Sequence, residues 1–138
     1  MTSRLTNDEW KRRLPSDVYR VTREKGTEEP FSGKYNKHFE NGRYKCVCCG
    51  ALLFESKDKF DSVCGWPSFS RVSGSSPSGD DAGTNVERRS DTSLGLLRVE
   101  VVCKLCDAHL GHVFEDGPEP TNLRYCINSA SISFEPDG

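Results

Sequence analysis

Apolar positions near the amino terminus follow the spacing of two short helices. Thr6 precedes two acidic residues, a pattern typical of an N-cap followed by a first helical turn, and Pro15 ends this helix. A second helix begins after Pro15 and ends near Gly26. We therefore expect a helical segment over residues 1–26 that packs on a sheet through Leu14, Val18 and Val21.

Beyond residue 30 the pattern changes to short apolar or alternating runs separated by turn residues, which is typical of strands. The Gly- and Ser-rich stretch 73–83 is too polar to pack, so we predict a mobile surface loop there. Cysteine pairs flank this loop, so we do not expect it to divide the chain. We predict one mainly β domain over residues 1–138, with strands over 43–46, 51–54, 96–102 and 124–134.

Composition narrows the class of protein. The 138 residues fit one domain, and a hydrophobic content of 34% indicates a core that needs reinforcement. A formal net charge of -2 without a basic stripe argues against nucleic acid as a partner. No apolar run is long enough for a signal peptide or a membrane span, so we expect a soluble, cytoplasmic protein. Seven cysteines, an odd number, then indicate metal binding and redox chemistry rather than a disulfide framework.

Two CxxC pairs have the spacing of metal ligands. Two residues between thiolates allow one tight turn to direct both sulfurs at a single ion, and two such pairs complete a tetrahedral shell. Such a site has no open position, so we predict one structural Zn²⁺ ion. Cys48 is an alternative to Cys49, but Gly50 lets the backbone turn after Cys49. A redox dithiol or unrelated buried thiols remain the alternatives to a site formed by Cys46, Cys49, Cys103 and Cys106.

Cys126 has polar neighbours on its own face of a predicted strand. Strand alternation places Arg124, Cys126 and Asn128 on one side and directs Tyr125 and Ile127 to the other. A nearby guanidinium favours the nucleophilic thiolate, and an amide orients a substrate or an imidazole. We therefore predict that Cys126 is reactive, against the alternative of a small hydrophobic residue in a strand.

Three further residues have side chains suited to chemistry. His109 and His112 are candidate proton donors because histidine titrates near neutral pH, although packing or zinc ligation would also explain them. Cys64 lies in a turn-rich run, which suits an exposed resolving cysteine. Trp66 offers an apolar surface for a methyl or aromatic group, unless it belongs to the core.

The motifs occur together in an order that resembles the B-type methionine sulfoxide reductases, and the resemblance covers nearly the whole chain. They are residues 26–28 (GTE), 30–33 (PFSG), 46–50 (CVCCG), 59–62 (KFDS), 65–69 (GWPSF), 103–106 (CKLC), 109–114 (HLGHVF) and 124–129 (RYCINS). The resemblance implies a tent-like fold of two antiparallel sheets, with zinc remote from the active site.

The resemblance also implies a reaction. Cys126 would be the nucleophile that attacks the sulfur of a methionine-R-sulfoxide in an oxidised protein, and His109 and His112 would be the acid catalysts. The resulting sulfenic acid on Cys126 would react with Cys64, and thioredoxin would reduce the disulfide. Arg124 would stabilise the thiolate. We expect the enzyme to act as a monomer.

The remaining assignments concern the substrate pocket and a rival function. By the same resemblance, Asn128 orients the substrate, Trp66 receives its methyl group, and Phe114 lines the same pocket. Val63 and the loop after Val72 depart from the family pattern near Cys64, which puts the resolving role in doubt. The main rival is a non-catalytic zinc-binding interaction module of the same fold. Such a module would need only the four zinc ligands, so it would not explain the residues around Cys126.

Overall fold

Two short helices precede the sheets. The structure, a computed structural model, describes residues 7–29, 33, 35, 38–61, 65–76, 81, 83–92, 98–119 and 121–136. Helix α1 spans Asn7–Arg13 and helix α2 spans Ser16–Arg23, with Pro15 between them as predicted. Thr6, the predicted N-cap, lies outside the described residues. Helix α2 ends before Gly26, and the amide of Gly26 bonds to the carbonyl of Arg20 at 2.9 Å.

The described strands form two antiparallel sheets, as the sequence analysis predicted. The smaller sheet has the order β2-β1-β9, and the larger has the order β3-β4-β8-β7-β6-β5. Short 3-10 turns at Ser56–Asp58 and Ser129–Ser131 precede β3 and β9. The strands are β1 (Gly42–Cys46), β2 (Leu52–Glu55), β3 (Lys59–Phe60), β4 (Ser68–Phe69), β5 (Val86–Asp91), β6 (Arg98–Cys103), β7 (His109–Phe114), β8 (Arg124–Ile127) and β9 (Ile132–Pro136).

The predicted run 124–134 is not one strand. It divides at Ser129–Ser131, so that β8 joins the large sheet and β9 the small one. The buried carboxylate of Glu28 accepts hydrogen bonds from the amides of Ser129 and Ala130 at 2.9 and 3.0 Å. A partner about a hundred residues earlier thus stabilises the turn, which local alternation does not reveal.

Aromatic side chains fill the space between the sheets. Tyr44 from the small sheet and Phe69 and Tyr125 from the large sheet are completely buried. The rings of Phe54 and Phe69 stack with centroids 4.4 Å apart. Helix α2 adds Val21, which is 1% exposed, as the predicted helix face requires. Burying a side chain of this size contributes about 1.5–3 kcal/mol.

Part of the predicted loop 73–83 is anchored to this core. Residues 77–80 and 82 lie outside the described part of the chain. Asp81, however, accepts a hydrogen bond from the hydroxyl of buried Tyr125 at 2.5 Å and pairs with Arg88 at 3.0 Å. Among the described residues, no helix has the length and apolar character needed to cross a lipid bilayer.

Candidate active site and metal centre

A row of side chains crosses the large sheet and contains the predicted nucleophile. Cys126 on β8 pairs directly with His112 on β7, and His112 pairs in turn with Glu100 on β6. On the other side, Cys126 pairs with Ser68 on β4. Directly paired residues project from the same face, with Cβ atoms about 4.5–5.5 Å apart. The sheet register therefore places a thiol and an imidazole side by side.

A bulge brings the second histidine to the same face. His109 and His112 are three residues apart, so regular alternation would place them on opposite faces. The register shifts at Leu110, and His109 pairs with Val102, on the face of His112. The amide of Asn128 and its side-chain Nδ2 both donate to the carbonyl of Leu110, at 2.9 and 3.0 Å. The two imidazoles lie with ring centroids 5.6 Å apart.

A cavity of about 280 Å³ opens above Cys126. Arg98 and Thr27, which the sequence analysis did not single out, contribute to its walls. Six of the residues predicted for the active site line this cavity, namely Trp66, His112, Phe114, Arg124, Cys126 and Asn128. The structure thus brings together the thiol, one imidazole and the aromatic surface in one place.

Arg124 is held by a carboxylate at the edge of the cavity. Its guanidinium makes two hydrogen bonds to Asp116, at 2.8 and 3.1 Å, and lies 4.5 Å from the ring centre of Phe114. The hydrogen bond from Arg124 lowers the pKa of Asp116. Two parallel bonds of this kind fix the plane of the guanidinium. Arg124 is therefore oriented at the cavity wall.

The ring of His112 is fixed at its far end. Nε2 lies 2.7 Å from a carboxylate oxygen of Asp91, and Arg98 donates to the same oxygen at 3.2 Å. Burial lowers the pKa of His112, whereas the hydrogen bond to Asp91 acts in the opposite direction. Electrostatic interactions with Arg98 and His109 lower the pKa of His112 further.

His109 lines a different cavity from the one that Cys126 lines. This neighbouring space of about 430 Å³ has walls formed by Arg23, Lys25, Glu100 and His109, among others. Nδ1 of His109 lies 2.7 Å from Glu100, whose other oxygen pairs with Lys25 at 3.0 Å. Burial would raise the pKa of Glu100, but the hydrogen bonds from His109 and Lys25 outweigh it and lower that pKa.

Cys64, the predicted resolving cysteine, lies outside the described residues, as does Val63. The described chain resumes at Gly65, and Trp66 follows in the cavity wall.

The four predicted ligands converge at the other functional centre. The sulfur atoms all lie within 4.8 Å of one another, and the pairs Cys46–Cys106 and Cys49–Cys103 are each separated by 3.6 Å. Sulfurs bound tetrahedrally to zinc at about 2.3 Å would be about 3.8 Å apart. This group can therefore hold a metal ion. Hydrogen bonding among the crowded thiols raises the pKa of Cys103 to about 12 and lowers that of Cys49 to about 7.

Both cysteine pairs sit on turns of the same construction. The residue after each pair has a left-handed backbone, with φ of 79° at Gly50 and 66° at Asp107. The amide of that residue bonds to the carbonyl of the first cysteine, Cys46 or Cys103, at 2.9 and 2.8 Å respectively. The structure agrees with the choice of Cys49. Cys48, although a hydrogen bond with Cys106 raises its pKa, is not one of the four mutually close sulfurs.

Sequence reasoning missed the acidic residues that hold the site in place. Asp91 and Glu100 contact the two histidines, and Glu28 contacts the cavity wall through its main chain. The one signal that could have marked Glu100 is strand alternation over 98–101, which would place it on the same face as Arg98. No comparable local signal marked Asp91, since its contact depends on pairing across two strands.

Comparison with known proteins agrees with this geometry. Residues 14–136 match the SelR domain. "Methionine-R-sulfoxide reductase B2, mitochondrial" of Rattus norvegicus is 54% identical over 132 residues, which cover 96% of this chain and 75% of that protein. The protein of the same name in Homo sapiens is also 54% identical, over 96% of this chain and 72% of its own. "Peptide methionine sulfoxide reductase MsrB" of Chromohalobacter salexigens is 56% identical over 93% of this chain and 91% of its own. The chain therefore belongs to the SelR-domain family, the B-type methionine sulfoxide reductases.

Proposed function

We propose that this chain reduces methionine-R-sulfoxide residues in proteins to methionine, with Cys126 as the nucleophile. The observation that carries this proposal is the direct pairing of Cys126 with His112 inside a cavity that also presents Trp66. A thiol, a proton donor and an apolar surface are the groups that this reduction needs. The printed names of the relatives support the same reaction.

The chemical step moves one oxygen atom and one proton. The thiolate of Cys126 attacks the sulfoxide sulfur, and protonated His112 gives its proton to the sulfoxide oxygen. The protonated oxygen then transfers to the sulfur of Cys126, and the bonds from the substrate sulfur to oxygen and to Cys126 both break. Methionine leaves, and Cys126 is left as a sulfenic acid. Methionine gains two electrons and Cys126 loses two, so the step needs no other oxidant or reductant.

The walls of the cavity account for substrate recognition. The ring of Phe114 and the indole of Trp66 supply an apolar surface for the methyl group of the substrate. The guanidinium of Arg124 lies on the same wall and favours the anionic form of Cys126. Asn128 uses both ends of its amide on main-chain groups. We therefore propose that Asn128 orients the substrate indirectly, by holding the bulge that positions the histidines.

Recycling requires a second thiol. We assign this role to Cys64, which would attack the sulfenic acid on Cys126, form a disulfide and release water. A dithiol donor of the thioredoxin type then exchanges with this disulfide and restores both thiols. His109 would assist as a second acid through its contact with His112.

The metal centre has a structural role in this proposal. The ligands Cys46, Cys49, Cys103 and Cys106 would hold one Zn²⁺, whose preference for four thiolates matches this set. They join the end of β1 to the end of β6, and none of them lines the cavity above Cys126. A cytoplasmic monomer remains our expectation for the working protein.

The test is an assay of both sulfoxide epimers with wild-type protein and three cysteine variants. Wild-type protein should reduce the R epimer with dithiothreitol or with thioredoxin. Cys126→Ser should be inactive with either reductant. Cys64→Ser should complete one turnover but fail to recycle with thioredoxin, and Cys48→Ser should behave as wild type. Turnover of the S epimer alone, or full activity of Cys126→Ser, would reject the proposal.

A further inference from the structure

We infer that Asp91 is a positioning residue for His112, binding Nε2 of the imidazole so that Nδ1 is the atom that delivers the proton. This inference rests on the proposed function, because it concerns the acid of that reaction. It adds two points to that function: Asp91 takes part although it does not line the cavity, and only one of the two ring nitrogens of His112 delivers the proton.

Asp91 is buried, and its carboxylate is held in place by neighbouring side chains. Asp91 is 6% exposed, and one of its oxygens receives both His112 Nε2 at 2.7 Å and Arg98 Nη2 at 3.2 Å. Arg98 is also the direct partner of Asp91 across β5 and β6. A buried carboxylate held by a neighbouring guanidinium has little freedom to turn away from the ring.

The choice of nitrogen follows from imidazole chemistry. A carboxylate accepts hydrogen bonds, so Nε2 of His112 keeps its hydrogen whether the ring is neutral or charged. Only Nδ1 is then left to gain and lose a proton. Nδ1 is bonded to the ring carbon nearest the backbone, and the backbone of His112 pairs directly with that of Cys126. Nε2 lies farther from the backbone, beside Asp91.

The charges around the ring make Asp91 important for its protonation. His112 faces Arg98 and Glu100 from β6 and Arg124 and Cys126 from β8, with His109 beside it on β7. Burial, Arg98 and His109 all lower the pKa of His112, and Asp91 opposes them. Removal of the carboxylate should therefore lower the pKa of His112 further and leave less of the acid form at neutral pH.

The first test needs no variant of Asp91. Nitrogen-15 NMR of wild-type protein, with the His112 signals identified by their absence in His112→Asn, reports which nitrogen of the neutral ring carries hydrogen. We expect hydrogen on Nε2 and a bare Nδ1. Hydrogen on Nδ1 in the neutral ring would overturn the inference, whatever the activity of the protein.

The second test compares Asp91→Asn with Glu87→Gln, a carboxylate change on an exposed residue of the same strand. Single-turnover rates should be measured at saturating methionine-R-sulfoxide with pre-reduced protein. Asp91→Asn should lose about 10- to 100-fold, part of the 10²–10⁴ that a general acid contributes. The rate of Asp91→Asn divided by that of wild type should fall from pH 5.5 to pH 8. The lower pKa of His112 in the variant means that it loses the acid form at a lower pH than wild type does. Glu87→Gln should match wild type at each pH.

The outcomes separate this inference from the proposed function. If His112→Asn loses activity while Asp91→Asn keeps the wild-type rate and pH profile, the positioning role fails and the proposed function stands. If wild-type protein does not reduce the R epimer, the proposed function fails, and the NMR result still decides whether Asp91 fixes the ring. Thermal unfolding and metal content identify an Asp91→Asn protein that has not folded, in which case the wild-type NMR result decides.

Discussion

The indole Nε1 of Trp66 donates a hydrogen bond to the main-chain carbonyl of Glu28 at 3.0 Å. The amide of Glu28 donates in turn to Oδ1 of Asn128 at 3.1 Å, and the carboxylate bonds to the amides of Ser129 and Ala130. One residue near the amino terminus therefore connects the indole in the cavity wall, the amide that holds the bulge, and the turn between the sheets.

Glu28→Ala should lower the free energy of unfolding by about 2–4 kcal/mol, because two amides lose a charged acceptor in a buried place. The KM for methionine-R-sulfoxide should also rise, since the main chain at residue 28, which bonds to Trp66 and Asn128, loses the anchor that the Glu28 side chain provides. Urea unfolding and steady-state assays measure both effects. Glu29→Ala changes the exposed neighbour and should alter stability by no more than about 0.5 kcal/mol. Equal stabilities of the two variants would contradict this account of Glu28.

Local sequence patterns predicted the parts of the structure that depend on local chemistry. The repeated CxxC turn and the alternation around Cys126 can each be recognised from a few consecutive residues, because turn geometry and strand alternation are local properties. Strand β5 was not predicted, since its four central residues are exposed and polar. Its place in the sheet comes from pairing with β6.

The acidic residues that orient the site depend on contacts distant in sequence. Asp91 meets His112 across two strands, and Glu28 meets Ser129 about a hundred residues later. The bulge at Leu110 is likewise a property of two paired strands. None of these contacts produces a pattern in a short stretch of sequence. The residues that position the site could therefore be identified only from the three-dimensional structure.

The metal centre yields a prediction that distinguishes neighbouring cysteines. Cys49→Ser should remove the bound metal and much of the stability, because the thiolate that completes the site is lost. Cys48→Ser should retain about one metal ion per chain and a Tm near that of wild type. Metal analysis and thermal unfolding of both variants provide the measurement. Metal loss from Cys48→Ser with retention in Cys49→Ser would reverse the assignment.

Gly111 has no room for a side chain. A Cβ at this position would overlap the carbonyl oxygen of Cys126, which belongs to the paired strand. Gly111→Ala should therefore separate β7 from β8 and lower the single-turnover rate at least about tenfold, as misplacement of reacting groups does. Gly83→Ala is a matched control, because nothing lies within 4 Å of the Cβ it would add. Wild-type kinetics in Gly111→Ala would show that the close approach of the strands is not needed.

The ion pairs of Glu100 give a prediction about pH. Its pKa is lowered in the folded protein by His109 and Lys25, so the folded state binds the Glu100 proton more weakly than the unfolded state. The resulting stability is present above the usual pKa of 4.5 and is lost as the pH falls through the lower folded value. Glu100→Gln should therefore be less stable than wild type at pH 7, by about 1–3 kcal/mol.

This difference between Glu100→Gln and wild type should shrink as the pH falls below 4.5, because the unfolded wild-type chain then binds the Glu100 proton more readily than the folded protein does. Urea unfolding of the two proteins at matched pH is the measurement, and effects shared by both proteins, such as protonation of metal ligands, cancel in the comparison. Glu87→Gln removes an exposed carboxylate and should stay within about 0.5 kcal/mol of wild type throughout. A difference that grew as the pH fell would mean that burial, rather than His109 and Lys25, dominates the pKa of Glu100.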